Sequence, residues 1–148
     1  SSSKVHLLDV DPPRWLIREG YLIRLTRRGA ARYYFHLFND LLLYSETSVK
    51  GFQLHRRMEL RNYLHITNNP AAAAAAGSAG SAAYAIQIET TQKSFIVCCK
   101  DAAEQLAWLT DLETVRNRLE EDKLTNGEQQ NEQHKNQHFV APYVYIQI

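Results

Sequence analysis

Residues 20–38 read Gly20-Tyr21-Leu22-Ile23-Arg24-Leu25-Thr26-Arg27-Arg28-Gly29-Ala30-Ala31-Arg32-Tyr33-Tyr34-Phe35-His36-Leu37-Phe38. Aromatic and aliphatic residues alternate on both sides of a glycine-containing break, so the stretch reads as two strands, about 20–25 and about 32–38, joined by a short loop. Four arginines, Arg24, Arg27, Arg28 and Arg32, fall here with no carboxylate among them. The strand ends and loop together form a local positive pole, and that pole is the candidate binding site.

Beyond Phe38, Asn39-Asp40 is a tight-turn signal, since both residues tolerate left-handed backbone. Leu41-Leu42-Leu43-Tyr44 is then a third strand, and the polar run from Ser45 to Gly51 a loop. Phe52, Leu54, Met58 and Leu60 fall on one side of a fourth strand, with Gln53, His55, Arg57 and Glu59 on the other. Arg56 interrupts the apolar side, which points to an exposed strand end or a bulge. Tyr63-Leu64-His65-Ile66-Thr67 makes a short fifth strand. Residues 68–83 are low-complexity, with alanine throughout 71–76. So short a run is below the ~12–15 residues an isolated helix needs, and the segment reads as a long inter-strand loop. Residues 84–89 and 94–99 form a second hairpin, which brings the strand count to seven.

Asp101 is placed as an N-cap, with Glu104 completing a capping-box pattern. The helix that follows, about 102–121, sets Trp108, Leu112, Val115 and Leu119 on one stripe. An amphipathic helix after seven antiparallel strands covers the open end of a bent sheet or barrel. Trp108 is its main plug, and Phe35, Leu37, Trp108 and Leu112 are expected in the core. The fold class is therefore mainly β with one α-helix, over a domain at about 19–121. Residues 1–18 are a lead-in arm and linker in which Pro12-Pro13 forbids a continuing helix and Trp15 and Ile17 are available for packing. Residues 122–138 read as a polar linker, and 139–148 as an apolar tail, either an extra strand or the start of a next domain.

The length of 148 residues, 45% of them apolar, suffices for one substantial core. The formal charge of +1 hides a sided molecule. Residues 14–32 carry Arg14, Arg18, Arg24, Arg27, Arg28 and Arg32 against Glu19 alone, while 101–132 are mostly acidic. Adjacent Cys98 and Cys99 do not make a disulfide framework and fit a reducing, cytosolic setting, one side chain in the core and one outside. No leader pattern opens the chain, and no apolar run approaches the ~18 residues of a membrane span, so any membrane contact is peripheral. There is no Gly-rich phosphate loop, no metal-ligand spacing among the histidines and no nucleophile–base pair. No catalytic residue, metal, cofactor or nucleic-acid partner is expected.

The pattern resembles the pleckstrin-homology (PH) superfold. Arg18-Glu19-Gly20-Tyr21-Leu22-Ile23-Arg24 looks like its first strand, residues 35–44 like its second and third, and Glu104-Gln105-Leu106-Ala107-Trp108-Leu109 like its helix with the hallmark tryptophan. The Pro-Pro-Arg arm and the run Leu37 to Tyr44 look like PH domains that follow a Dbl-homology (DH) domain in Rho-family guanine nucleotide exchange factors. Phe139-Val140-Ala141-Pro142 is similar to the linker before a FYVE zinc finger. The resemblance implies a non-catalytic, cytoplasmic, peripheral-membrane module that weakly binds anionic or phosphoinositide lipids. A Rho-family GTPase or an adjacent DH domain is the implied protein partner. The alternative it implies is a protein-interaction or autoregulatory module with no significant lipid binding. The family clamps inositol phosphates with a basic residue late in strand one and Arg-x-Phe in strand two. Arg24 matches the first position, but Tyr33 stands where the second arginine belongs. Arg32 is offset by one residue, which sends its side chain to the other face. Arg24, Arg27, Arg28, Arg32 and Tyr33 together are expected to make a basic lip, not a fitted pocket.

Overall fold

The computed structural model describes residues 13–71 and 83–132, with 126–132 in backbone only. Seven strands, β1 (Leu16–Thr26), β2 (Gly29–Phe38), β3 (Leu41–Ser48), β4 (Gly51–Glu59), β5 (Leu64–Asn68), β6 (Ala85–Thr90) and β7 (Ser94–Cys98), precede one long helix, α1 (Ala102–Glu132). All pairings are antiparallel, in the order β4-β3-β2-β1-β7-β6-β5. β1 is the hinge of the sheet. Its whole length pairs with β2, and only its last part, Ile23 to Leu25, pairs with β7.

One core joins both halves of the sheet to the helix. Leu22, Phe35, Leu37, Leu42, Tyr44 and Met58 from β1–β4 share it with Leu64, Ile86, Ile88, Phe95 and Val97 from β5–β7. A sheet whose two ends share a core is bent over on itself. α1 lies against β5, β1 and β6 and closes the remaining side. Its stripe of Trp108, Leu112, Val115 and Leu119 is buried, and Trp108 meets the Phe35 ring edge-on at 6.5 Å. Removing Trp108 or Leu112 to alanine would cost about 3–5 kcal/mol, the range for large core side chains.

α1 starts as expected. The Glu104 N–H donates to Asp101 Oδ1 (2.8 Å), and the Glu104 carboxylate reaches back to accept from Lys100 N–H (2.8 Å). The helix then runs past about 121 to Glu132, so the first part of the segment read as polar linker is helical. Glutamate, glutamine and lysine are good helix formers, and once a helix is nucleated a single Gly127 costs only about 1 kcal/mol. β1 likewise begins earlier than expected. Residues 16–18 of the lead-in arm belong to the first strand, with an irregularity between Leu16 and Arg18.

β4 differs most from its expected faces. The register shifts opposite Tyr44 and Ser45, which pair with Arg56 and Leu54 and leave His55 as the extra residue of a bulge. A bulge reverses side-chain parity. Met58 and Leu60 keep the core side, while beyond the bulge Phe52 and Leu54 are 52% and 55% exposed on the opposite face. The cysteines differ too, since both are buried. Cys99 joins the main core, and Cys98 is covered in a small cluster with Leu25 and Ala85. Most of the alanine-rich segment, 72–82, and the tail 139–148 lie outside the described residues, as do residues 1–12 and 133–138.

Candidate functional site

The β1–β2 hairpin is tighter than its sequence suggests. Both strands run to the turn, so the loop shrinks to Arg27 and Arg28. The Thr26 hydroxyl accepts from Arg28 N–H (3.2 Å) and donates to the Gly29 carbonyl (2.9 Å). Gly29 takes φ of 136°, a conformation that a side chain would strain. Arg27 and Arg28 are exposed on this rigid tip.

The ladder from Arg18 to Thr26 has no further irregularity, so strand parity decides which arginine goes where. Directly paired residues share a face. Leu22 pairs with Tyr33 and Arg24 with Ala31, on the core side, whereas Ile23 pairs with Arg32 on the outer side. Tyr33 packs on the core, its ring 4.8 Å from Tyr44 and 4.9 Å from His55. Arg32 lies over the outer-face Tyr21 ring, 3.6 Å from its centroid. Arg24 and Tyr33 are thus together, Arg27 and Arg28 stand at the rim, and Arg32 is apart.

What joins Arg24 comes from elsewhere in the chain. Its guanidinium sits between the Tyr44 ring (5.6 Å) and the Phe95 ring (5.9 Å). Arg56, on the core side of β4 with Met58, pairs across the ladder with Tyr44. Lys93, in the β6–β7 turn, has its pKa lowered first by the charge of Arg24, then by burial, then by the charge of Arg56. Three cations therefore converge at one end of the folded sheet. None takes part in an ion pair among the described residues. Arg24 Nε, Arg56 Nε and the Tyr44 hydroxyl are buried and have no hydrogen-bond partner among the described residues. Orphaned buried donors are costly, and with Arg24 over the Tyr44 ring and Arg56 opposite Tyr44 in the ladder they form a candidate cradle for an acceptor-rich anion.

Sequence reasoning missed Arg56, Tyr44 and Lys93. Arg56 left a trace as the residue that broke the apolar side of its strand. Lys93 left none, because only the bending of the sheet brings its turn beside β1. Among the described residues no group of His, Cys, Asp or Glu could hold a metal ion, and no helix is long and apolar enough to cross a membrane.

The PH domain family model matches residues 16–116. A mouse (Mus musculus) protein named "FERM, ARHGEF and pleckstrin domain-containing protein 2" is 31% identical over 106 residues, which is 70% of this chain and 9% of that protein. The mouse "FYVE, RhoGEF and PH domain-containing protein 6" is 32% identical over 113 residues, 76% of this chain and 7% of that protein. The chain thus spans less than a tenth of either relative. In structure it is similar to the DH/PH domain of human ARHGEF11 in complex with human RhoA and an inhibitor, with TM-score 0.56, 16% identity, 71% of this chain and 30% of that one. It is also similar to the carboxyl-terminal PH domain of pleckstrin, with TM-score 0.55, 14% identity, 69% of this chain and 98% of that one. From its bent seven-stranded sheet, its tryptophan-bearing helix and these matches, the chain belongs to the PH domain family, with sequence relatives among RhoGEF proteins.

Proposed function

We propose that this PH domain is a regulatory and membrane-targeting module of a Rho-type guanine nucleotide exchange factor. It meets anionic, phosphoinositide-bearing membrane at the cytoplasmic face with the end of the sheet where Arg24, Arg56 and Lys93 converge. The observation that carries the reading is the uncompensated cluster itself, in which two buried guanidinium nitrogens and the Tyr44 hydroxyl lack partners. Phosphate oxygens would satisfy them once the two guanidinium groups turn outward. Arg27 and Arg28, exposed at the adjoining turn, add long-range attraction of about 1 kcal/mol per residue near an anionic surface. The short turn cannot wrap a head group, and Tyr33 occupies the place of a second clamping arginine, so the binding is weak and strongly salt-sensitive. As a PH module the domain is non-catalytic. Exchange on a Rho-family GTPase would belong to a DH neighbour, for which this domain is the membrane-side partner.

Co-flotation with phosphatidylcholine vesicles, alone or carrying phosphatidylserine or phosphatidylinositol bisphosphate, tests the reading. Retention on anionic vesicles is expected at low salt, with loss by ~0.5 M salt. Arg24→Ala and Arg56→Ala are each expected to weaken it several-fold. Equal retention on neutral vesicles, or none on any at low salt, would overturn it.

A further inference from the structure

The outer face of β1–β4 carries a ladder of aromatic rings. Tyr21 and Tyr34 meet edge to face with centroids 4.9 Å apart, and Tyr34 and Phe52 lie 4.7 Å apart. Rings that touch usually bury one another, yet Tyr21, Phe52 and Leu54 keep 40%, 52% and 55% of their surface exposed. The carboxylate within the ladder is engaged, since Glu19 accepts from the Tyr34 hydroxyl (3.0 Å) and faces His36 Nε2 (3.5 Å). Arg57 on β4 is paired with Glu59 at 3.1 Å. Arg32 lies flat on Tyr21, outside every ion pair among the described residues. The exposed Arg27 and Arg28 stand at the turn of the same hairpin. The face is therefore an aromatic platform with a cationic rim.

Contiguous exposed aromatics mark interaction surfaces, and Tyr, Phe and Arg are the residue types that interfaces enrich. We propose that this face docks a protein segment in which acidic and aromatic side chains stand together. Its aromatic groups lie on Phe52, Tyr34 and Leu54, and its carboxylates meet Arg32 and the turn arginines. The platform is already ordered by ring contacts, so little side-chain entropy is lost on binding. A membrane suits it less well. The platform is the flank of four strands, whereas the anion cradle lies at the strand ends by the β1–β2 and β6–β7 turns, so the two adjoin only at the turn arginines. A second copy placed face to face also suits it less well, because among the described residues this face offers no unengaged carboxylate to a copy of its own arginine rim. Arg24, Arg56, Lys93 and Tyr44 do not enter the argument; only the turn arginines border both surfaces.

Peptides selected from a random phage-displayed library on the 148-residue chain, then synthesised and titrated by fluorescence anisotropy, test the assignment. The selected sequences are expected to combine Asp or Glu with Trp, Tyr or Phe. Their affinity is expected to fall about tenfold or more for Phe52→Ser and for Arg32→Glu, and to hold for Arg24→Ala. A peptide with its acids changed to lysine should bind Arg32→Glu better than the unchanged chain. Both altered side chains are exposed, and thermal melts check that the variants stay folded; Leu54→Ser replaces any that does not. Failure to select such peptides, or equal binding to all variants, overturns the proposal. So does a Phe52→Ser variant whose only defect is in self-association or in vesicle retention, which would assign the face to a second copy or to a membrane.

Discussion

Arg14 and Asp40 meet in a two-pronged ion pair, Arg14 Nε 2.7 Å from Oδ1 and Nη2 3.0 Å from Oδ2, with side chains only 8% and 3% exposed. Arg61 Nη2 adds a third contact to Oδ2 at 3.1 Å. The neighbouring Asn39 completes the joint. Its Oδ1 accepts from Trp15 N–H (2.9 Å), its Nδ2 donates to the Pro13 carbonyl (3.2 Å) and its own N–H donates to the Trp15 carbonyl (3.2 Å). Asn39 and Asp40, read as turn formers, are thus also the anchor that locks the lead-in arm onto the β2–β3 turn. The arm is attached to the sheet at the end opposite the anion cradle.

Removing the carboxylate leaves a buried guanidinium without its counter-ion. Asp40→Ala is expected to cost about 3–5 kcal/mol in chemical denaturation, the range for breaking one side of a buried pair. Replacing both partners by apolar residues of similar size, Arg14→Met with Asp40→Leu, should recover most of that loss. If the single variant loses under ~1 kcal/mol, the pair is a surface contact in energetic terms.

The same pair sets an acid limit on stability. Burial pushes the Asp40 carboxyl up, but the hydrogen bonds and charges of Arg14 and Arg61 outweigh it and hold the pKa below 3.8. The folded state therefore binds fewer protons than the unfolded chain. Asp40 contributes its full stabilisation above about pH 4 and loses it as pH falls through the depressed folded value. Stability measured from about pH 5 downward should decline more steeply in the unaltered chain than in Asp40→Asn, and matching slopes would refute the linkage.

Much of this fold is legible in the chain because local patterns and tertiary structure agree. The alternation around Phe35 and Leu37, the glycine at 29, the Asp101–Glu104 cap and the stripe through Trp108 each point to the element that forms. The reversed faces of β4 have one cause. The His55 bulge reverses parity within β4, and periodicity carries no mark of where an extra residue enters. Phe52 and Leu54 therefore move outward, while Arg56 stays on the core side with Met58. In the site, parity alone separates Arg32 from Arg24, which sequence reasoning could reach. The meeting of Lys93 with Arg24 depends on sheet closure between residues far apart in the chain, which it could not.

Both thiols should be inert while the chain is folded. Burial pushes the Cys99 thiol up to about 12, with Glu104, Cys98 and Asp101 adding repulsion, and burial also raises Cys98. Since the thiolate is the reactive form, iodoacetamide at about pH 8 should label neither residue until denaturant is added. Rapid labelling of a folded sample would show that the end of β7 opens locally.

Gln105 ties α1 to the neck of the alanine-rich segment. Its Nε2 donates to Asn68 Oδ1 (2.9 Å), Asn69 Oδ1 (2.7 Å) and the Ala85 carbonyl (3.0 Å), and Asn69 sits at φ of 46°. Gln105→Leu removes one donor from each, although Asn69 Oδ1 and the Ala85 carbonyl keep the Ala85 and Asn69 N–H groups, and should cost about 1 kcal/mol. Excising 72–82 and bridging the neck with glycines should change stability by much less, because the neck is held from both sides. A thermal melt of each variant separates the two outcomes. A large loss on excision would mean that the segment itself is structural.

Tyr33 offers the sharpest test of how the cradle limits binding. It shares the inner face with Arg24 and rests on the rings of Tyr44 and His55. Tyr33→Arg would add a fourth cation to Arg24, Arg56 and Lys93 on that face, at a loss of ring packing of about 1 kcal/mol. Vesicle affinity should rise several-fold, with the greater gain on phosphatidylinositol bisphosphate than on phosphatidylserine, because a fixed cluster discriminates a compact polyanion from diffuse charge. Arg32→Ala, on the outer face over Tyr21, should change neither by more than the ~1 kcal/mol of one surface charge. If Tyr33→Arg gains nothing while Arg32→Ala abolishes retention, the membrane is met by the outer face, and the convergence of Arg24, Arg56 and Lys93 serves some other anion.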